Sequence, residues 1–286
     1  MPNALDSVVV VLRAATFIAL LQTAGVALYL VIFRNRLVRT SGSVRSLGVI
    51  AAVIGAILIV ARYLVEPARL TGALSGMLDV SVHAFVMTSG LGVSQSMRLL
   101  GTAIVGFTLL RSNNPSARFA LVGVALIAIS FSFMGHTVAS DQRWLLSGLL
   151  TTHLLAASFW FGSLIPLHLA SAREPDAGNL IRHFSSIAIR IVPFIFLAGV
   201  GMALVLLPSV SSLGSPYGIL LIIKVLSFSA LMGLAALNKC RLGPALESGH
   251  EPSAALFRRS VSAEIMLIIL ILGVTATMTT HYSPEH

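Results

Sequence analysis

The stretch VVVVLRAATFIALLQTAGVALYLVIF, residues 8–33, decides the fold class. It exceeds the about 20 largely apolar residues that an α-helix needs to cross the hydrocarbon core of a bilayer. No basic segment precedes it, and Asp6 stands where a secretory signal peptide carries Lys or Arg. We therefore expect a permanent membrane-spanning helix rather than a cleaved leader.

The remainder of the chain has the same membrane character. Of its 286 residues 56% are hydrophobic and 10% charged, whereas soluble domains carry about 25% charged residues. Apolar runs of spanning length predict an all-α polytopic bundle of eight transmembrane helices, forming a single membrane domain over residues 1–286. The predicted spans are 8–33, 47–65, 93–110, 117–135, 145–169, 184–207, 218–237 and 261–279. Residues 77–92 are expected to form an amphipathic segment on the membrane surface.

The basic residues predict the orientation of the bundle. Of the nineteen Lys and Arg residues, twelve lie in one alternating set of loops and three in the other. Because cytoplasmic loops carry the excess of Lys and Arg, this distribution places both termini in the periplasm of a bacterial inner membrane. The same scattering over short loops argues against nucleic-acid binding despite the net charge of +9. Membrane lipids are the expected surroundings, and the sequence does not decide the oligomeric state.

Several ionisable side chains lie within the predicted spans, where charge is costly. Arg13 and Arg98 lie near the outer ends of their spans, so we expect their side chains to extend to the interface. Arg190 and Glu264 both lie near cytoplasmic ends, which predicts a structural ion pair with Asn238 as a further partner.

Lys224 is different, because it lies six residues into its span and no acidic residue lies at matching depth. Two interpretations remain open for it: a charge in a hydrated cavity, or a side chain that extends to the interface. In the fifth span Trp160 lies too deep for an interfacial position, so we expect it to pack against a neighbouring helix. Its small neighbours Ala156, Ala157 and Gly162 predict a close approach of another helix.

Histidine and methionine cluster on the predicted outer side. Met134 precedes His136 by two residues, Met87 follows His83 by one helical turn, and His153 lies about two turns into the fifth span. Imidazole and thioether ligands suit the soft ion Cu(I), whereas Mg²⁺ and Ca²⁺ prefer carboxylates and carbonyls. These five residues therefore favour a copper site, although methionine also fills gaps in apolar helices and the spacing alone does not establish it.

Other functional classes are weighed against copper. Histidines on facing helices can ligate haem, and His153 with His136, or His168 with His183, would make a b-type cytochrome the alternative. The sequence contains no G-x-x-x-x-G-K loop, G-x-S-x-G elbow or H-E-x-x-H pair, so we do not expect an enzyme.

The sequence HLLAASFWFG, from His153 to Gly162, resembles the copper-resistance D (CopD) family of integral membrane proteins. Further markers of the resemblance extend over about residues 80–280: Gly135 and His136, FSSIA at 184–188, PYG at 216–218, Lys224, Asn238, Arg241, Leu242, Pro244 and Glu264.

The resemblance implies an inner-membrane protein of periplasmic copper handling, usually described as a copper importer. It implies a separate periplasmic copper-binding partner, CopC, because the fused domain of some relatives is missing from this chain. It carries a copper role only to His136 and His153. Inward movement of Cu(I) is the expected function, and a non-transporting copper receptor is the alternative that needs the same outward ligands.

Overall fold

The computed structural model of the protein describes residues 4–111, 117–135, 138, 140–207, 209–247 and 251–282. All regular secondary structure in these ranges is helical, as predicted. The main helices are α1 (Ala4–Phe33), α2 (Ser41–Thr71), α3 (Val80–Thr88), α4 (Gly90–Arg111), α5 (Ala117–Ser130), α6 (Arg143–Arg173), α7 (Ala177–Leu206), α8 (Pro216–Leu237), α9 (Gly243–Glu247) and α10 (Glu251–His281).

Seven of the eight predicted spans correspond to helices long and apolar enough to cross a membrane: α1, α2, α4, α6, α7, α8 and α10. The eighth prediction, residues 117–135, falls on a shorter apolar helical stretch, Ala117–Phe133. The segment predicted to lie on the surface is also helical, and comprises a turn at Leu74–Leu78 followed by α3. The Asp79 carboxylate caps α3 by accepting hydrogen bonds from the backbone N–H groups of Ser81 and Val82. A hydrogen bond from the Ser81 hydroxyl, together with these two, lowers the pKa of Asp79.

Helix α1 lies at the centre of the bundle. In its most apolar window 72% of the residues are buried, compared with 11% in α7 and in α8. It packs against α2, α4 and α5 on one side and against α6 and α10 on the other, while α7 packs on α6 and α8 on α10. The stretch that predicts the first span is thus the core around which two groups of helices assemble.

The backbones of α1 and α6 meet at Gly25 and Gly162. A Cβ atom added at Gly162 would lie 2.4 Å from the Gly25 Cα atom, and one at Gly25 would lie 1.9 Å from the Ser158 carbonyl oxygen. The side-chain amide of Gln22 donates to the Gly162 carbonyl oxygen at 3.3 Å beside this crossing. The close approach predicted at Gly162 is confirmed, and the partner is α1.

A second glycine contact joins α4 and α5. A Cβ atom at Gly101 would lie 2.7 Å from the Gly123 carbonyl oxygen, and one at Gly123 would lie 2.8 Å from the Gly101 carbonyl oxygen. Helix α5 therefore packs directly against a helix of spanning length.

A buried carboxylate joins two turns at the end of the bundle opposite α3. Glu174, just after α6, accepts hydrogen bonds from the backbone N–H groups of Val38, Arg39 and Thr40 and from the Thr40 hydroxyl, at 2.5–3.3 Å. Burial raises the pKa of Glu174, but these hydrogen bonds to the ionised form outweigh burial, so its pKa is lowered overall. The ionised carboxylate thus fixes the α1–α2 turn against the end of α6.

Candidate functional site

His153 lies on α6, half-buried against α7. Its Nδ1 atom lies 2.9 Å from the Ile195 carbonyl oxygen, and a carbonyl oxygen can only accept a hydrogen bond. Nδ1 is therefore the protonated nitrogen, which leaves the Nε2 lone pair available as a ligand. Gly199 faces the ring, because a Cβ atom there would lie 3.7 Å from the His153 Cε1 atom. A hydrogen bond from the ring nitrogen that does not bind the metal orients metal-binding histidines in the same way.

Lys224 on α8 lies within electrostatic reach of His153. Its side chain is half-buried. In the described parts of the chain the salt bridge joins Arg69 to Glu66, so Lys224 has no described ion-pair partner. Lys224 thus places a like charge beside any cation bound at the imidazole.

Trp160 lies seven residues after His153, on the same face of α6. It is buried, its ring packs edge-to-face against Phe228 of α8, and its indole N–H donates to the Glu264 carboxylate at 3.3 Å. Phe228 itself lies one helical turn after Lys224. The prediction that Trp160 packs against a neighbouring helix is confirmed, and its hydrogen bond to Glu264 was not predicted.

Glu264 on α10 is buried and accepts a second, shorter hydrogen bond, 2.6 Å, from the side-chain amide of Asn238. Asn238 begins a π-helical segment, Asn238–Leu242, at the end of α8. Such a segment shifts the helical phase by about one residue and often marks a functional position. The expected contact with Asn238 is confirmed.

The predicted ion pair between Arg190 and Glu264 is wrong. Arg190 is exposed on α7, and α7 packs at the periphery on α6, whereas Glu264 faces Trp160 inside the bundle. The pair is predicted from the similar depth of the two residues in their spans. Depth along the membrane does not specify which face of each helix carries the side chain.

These contacts define a line of polar side chains through the apolar half of the bundle formed by α6, α7, α8 and α10. We call it the polar column: His153, Lys224, Trp160, Glu264 and Asn238. Its end nearest the start of α6 offers a neutral nitrogen ligand, and its other end offers a buried carboxylate. The described partners of this carboxylate, the Trp160 indole and the Asn238 amide, are both neutral, and no Lys or Arg is described in contact with it.

Of the other predicted ligands, His83, Met87 and Met134 lie within the described residues. On α3, the His83 Nε2 atom lies 2.8 Å from the Met77 carbonyl oxygen, its ring packs beside Tyr63, and Met87 is exposed. Met134 follows the turn at Phe131–Phe133, which contacts α6 through a hydrogen bond from the Ser132 hydroxyl to the Ser147 carbonyl oxygen. His136 lies outside the described residues.

The described residues do not bring these ligands together. Ser147 and His153 are six residues apart on α6, which places them about 120° apart around the helix axis. Met134 is thus placed near the start of α6 without a described contact to His153. Within the described ranges no group of three His, Cys, Asp or Glu side chains could hold a metal ion. The haem alternative gains no support from the described histidines.

The prediction that Arg98 extends to the interface is wrong. Arg98 is 2% exposed, its Nε atom donates to the Ser130 hydroxyl at 3.2 Å, and its guanidinium lies 4.0 Å from the centre of the Phe131 ring. A signal was present, since Ser94 and Thr102 lie four residues to either side and share a polar helix face with it. Arg13 is half-buried and donates to the Thr279 hydroxyl at 3.1 Å and to its carbonyl oxygen.

Comparison with known proteins assigns both halves of the chain. The family model described as "Copper resistance protein D-like, N-terminal domain" matches residues 4–146, and "Copper resistance protein D" matches residues 178–278. A curated protein named "Copper resistance protein D", from Pseudomonas syringae pv. tomato, is 28% identical over 305 aligned positions, which cover 98% of each chain. No solved structure matches.

Proposed function

The chain belongs to the copper-resistance D family, and from this premise we propose that it imports Cu(I) across the bacterial inner membrane. The observation that carries the proposal is His153: an imidazole held by the Ile195 carbonyl oxygen, with a free Nε2 atom, at one end of the polar column. A soft nitrogen ligand of this kind suits Cu(I).

The proposal includes an orientation. Helix α5 counts as the eighth span because it packs against α4 at the Gly101 and Gly123 contact, and its apolar stretch continues to Phe133. With eight spans and the more basic loops in the cytoplasm, both termini and α3 face the periplasm. The His153 end of the polar column then faces the periplasm and Glu264 lies in the cytoplasmic half.

Copper is received at the periplasmic end. Met134 and His136 precede α6 and, with His153, supply the thioether and imidazole donors of the proposed site. His83 and Met87 on α3 form an outer receiving pair, since the His83 Nδ1 atom and the exposed Met87 thioether can meet an incoming ion. A periplasmic copper-binding protein of the CopC type is the proposed donor.

Movement inward follows the polar column. A cation gains about 2.3 kcal/mol for each 100 mV of inside-negative potential, so no nucleotide hydrolysis is required. The Lys224 charge limits how long a cation stays beside His153, while the Glu264 carboxylate attracts the cation towards the cytoplasmic half. The residues on this route work by electrostatics and ligation, without covalent chemistry.

The test is Cu(I) binding by the purified full-length protein, measured by competition with a chromophoric Cu(I) chelator. We expect the double substitution His136→Ala and His153→Ala to abolish tight binding, and the control His183→Ala, on α7, to leave it intact. Unchanged affinity in the double variant would refute the site.

A second measurement separates transport from reception. Reconstituted vesicles with an inside-negative potential are given chelated Cu(I) outside, and copper accumulated inside is measured. Accumulation that the double variant lacks supports import. Intact binding without accumulation would leave a membrane receptor as the function.

A further inference from the structure

A polar layer lies buried between α1, α2 and α4, outside the polar column. The position of this layer along the helix axes can be counted from one contact between the three helices. A Cβ atom at Gly55 of α2 would lie 3.7 Å from both the Ala19 Cβ atom of α1 and the Thr102 Cγ2 atom of α4. These residues therefore mark the same height on three helices. Two helical turns towards the end that carries α3, about 10 Å, lead to Arg62 on α2.

The same step along the neighbouring helices leads to Arg13 on α1 and to Gln95 on α4, with Arg98 one turn nearer the starting contact. We call these four residues the arginine layer. Arg62, Gln95 and Arg98 are 3%, 4% and 2% exposed. The guanidinium groups lie close enough together for their charges to repel one another.

Acidic residues nearby compensate the charge only in part. Glu66 accepts two hydrogen bonds from Arg69, at 2.9 and 2.5 Å, and Asp6 also interacts electrostatically with Arg69. Four arginines therefore face two carboxylates. Glu66 also attracts Arg13 and Arg62, whereas the charges that act on Arg98 are those of Arg62 and Arg13. The deeper part of the arginine layer keeps an excess of positive charge in a region where charge is costly.

Several buried polar atoms of the layer lack a partner in the described part of the chain. They are the Nε atom of Arg62, the Nη1 atom of Arg98 and both side-chain polar atoms of Gln95; the hydroxyl of Thr102, one helical turn from Arg98, also lacks one. Each unsatisfied buried group costs about 1–3 kcal/mol, and more when it is charged. Two positive N–H donors and one neutral amide donor within about one helical turn of one another are groups that an anion would satisfy together.

We propose that the arginine layer binds one small inorganic anion of halide size. The N–H groups of Arg62, Arg98 and Gln95 are its donors. The near-complete burial of these side chains closes the site to large anions. Access is from the α3 end, where Arg13 is half-buried and Arg69 is partly exposed. The bound anion offsets the repulsion between the guanidinium groups and accepts hydrogen bonds from the N–H groups that lack a protein partner.

Equilibrium dialysis of the purified full-length protein against radioactive chloride tests this directly. Gluconate keeps the ionic strength constant as the chloride concentration varies. We expect one saturable site, at least tenfold weaker in Arg98→Gln and in Arg62→Gln. The control Arg190→Gln, which removes an exposed arginine of α7, should bind as the unaltered protein does.

A conservative variant keeps the test decisive if an arginine variant fails to fold. Gln95→Met has similar size and removes the amide donor without changing the charge, and we expect it to weaken chloride binding severalfold. Phosphate should not compete, because the site is closed to larger anions. Absence of saturable chloride binding, binding that the Arg62 and Arg98 substitutions leave unchanged, or equal competition by phosphate would overturn the proposal.

Discussion

Substitution of Gly162 by alanine tests the α1–α6 crossing on which the bundle depends. The added methyl would lie 2.4 Å from the Gly25 Cα atom, 2.6 Å from the Gly25 carbonyl carbon and 2.8 Å from the Val26 nitrogen. All three atoms are backbone, so no side chain can rotate away and the helices must separate by about 1 Å, given normal carbon–carbon contacts of about 3.5–4 Å.

Overpacking of a core costs about 1–3 kcal/mol, and this site falls at the upper end because both sides are backbone. Separation also lengthens the hydrogen bond from Gln22 to the Gly162 carbonyl oxygen, which already measures 3.3 Å. We therefore expect a loss of about 3 kcal/mol. At about 2–4 °C for each kcal/mol, this corresponds to a fall in Tm of about 6–12 °C.

The assay is thermal unfolding in detergent, followed by tryptophan fluorescence, in which the buried Trp160 reports the unfolding and the exposed Trp144 gives a nearly constant background. Gly148→Ala is the matched control, because Gly148 lies on the same helix and a Cβ atom there meets nothing within 4 Å. Alanine favours a helix by up to about 1 kcal/mol over glycine, so the control should be neutral or stabilised. Equal Tm values for the two variants would show that the crossing does not set the stability.

Two further predictions concern charge. Glu174→Gln should lower stability by about 2 kcal/mol at pH 7, because three backbone N–H groups lose an ionised acceptor. The pKa of Glu174 is lower in the folded protein than in the unfolded chain. The carboxylate therefore stabilises the fold at neutral pH, and this stabilisation is lost as the pH falls from about 4.3, the unfolded pKa, towards the folded pKa. The Tm difference between Glu174→Gln and the unaltered protein should therefore narrow in acid, and a gap that stays constant to pH 3 would contradict the capping role. Lys224→Met should tighten Cu(I) binding at His153 about tenfold in the chelator competition, because the substitution removes a repulsive charge. A tenfold change in affinity amounts to about 1.4 kcal/mol. Weaker binding in this variant would show that Lys224 supports the bound ion rather than repels it.

The apolar runs and small residues predict much of the fold. The run at 8–33 indicates a spanning helix because its length and hydrophobicity are local properties of the chain. Gly162 and Trp160 indicate packing positions because a small residue or a deep indole has few other uses within a membrane helix. The partners of these residues, Gly25 and Glu264, belong to distant parts of the sequence, so local patterns could not identify them.

The polar residues were harder to place because their position depends on which face of a helix they occupy. Arg98 and Arg190 are both arginines within predicted spans, yet Arg98 is buried beside Phe131 and Arg190 is exposed. The difference follows from the neighbours of Arg98: its turns carry polar residues at helical spacing, whereas Arg190 is followed by Ile191 and Val192 on a peripheral helix. Helical spacing of polar residues within an apolar run is therefore the better indicator of a buried charge.

Helix α1 lies in the N-terminal matched region and contacts both α6 and α10. It carries Arg13 of the arginine layer, and the same side chain donates to Thr279 on α10, the helix that holds Glu264. Two and a half turns further along, Gln22 donates to Gly162 on α6, the helix that holds His153 and Trp160. The arginine layer and the polar column thus contact the same, mostly buried helix. A charge change at Arg13 has a direct physical route to the helices on which copper handling is proposed to depend.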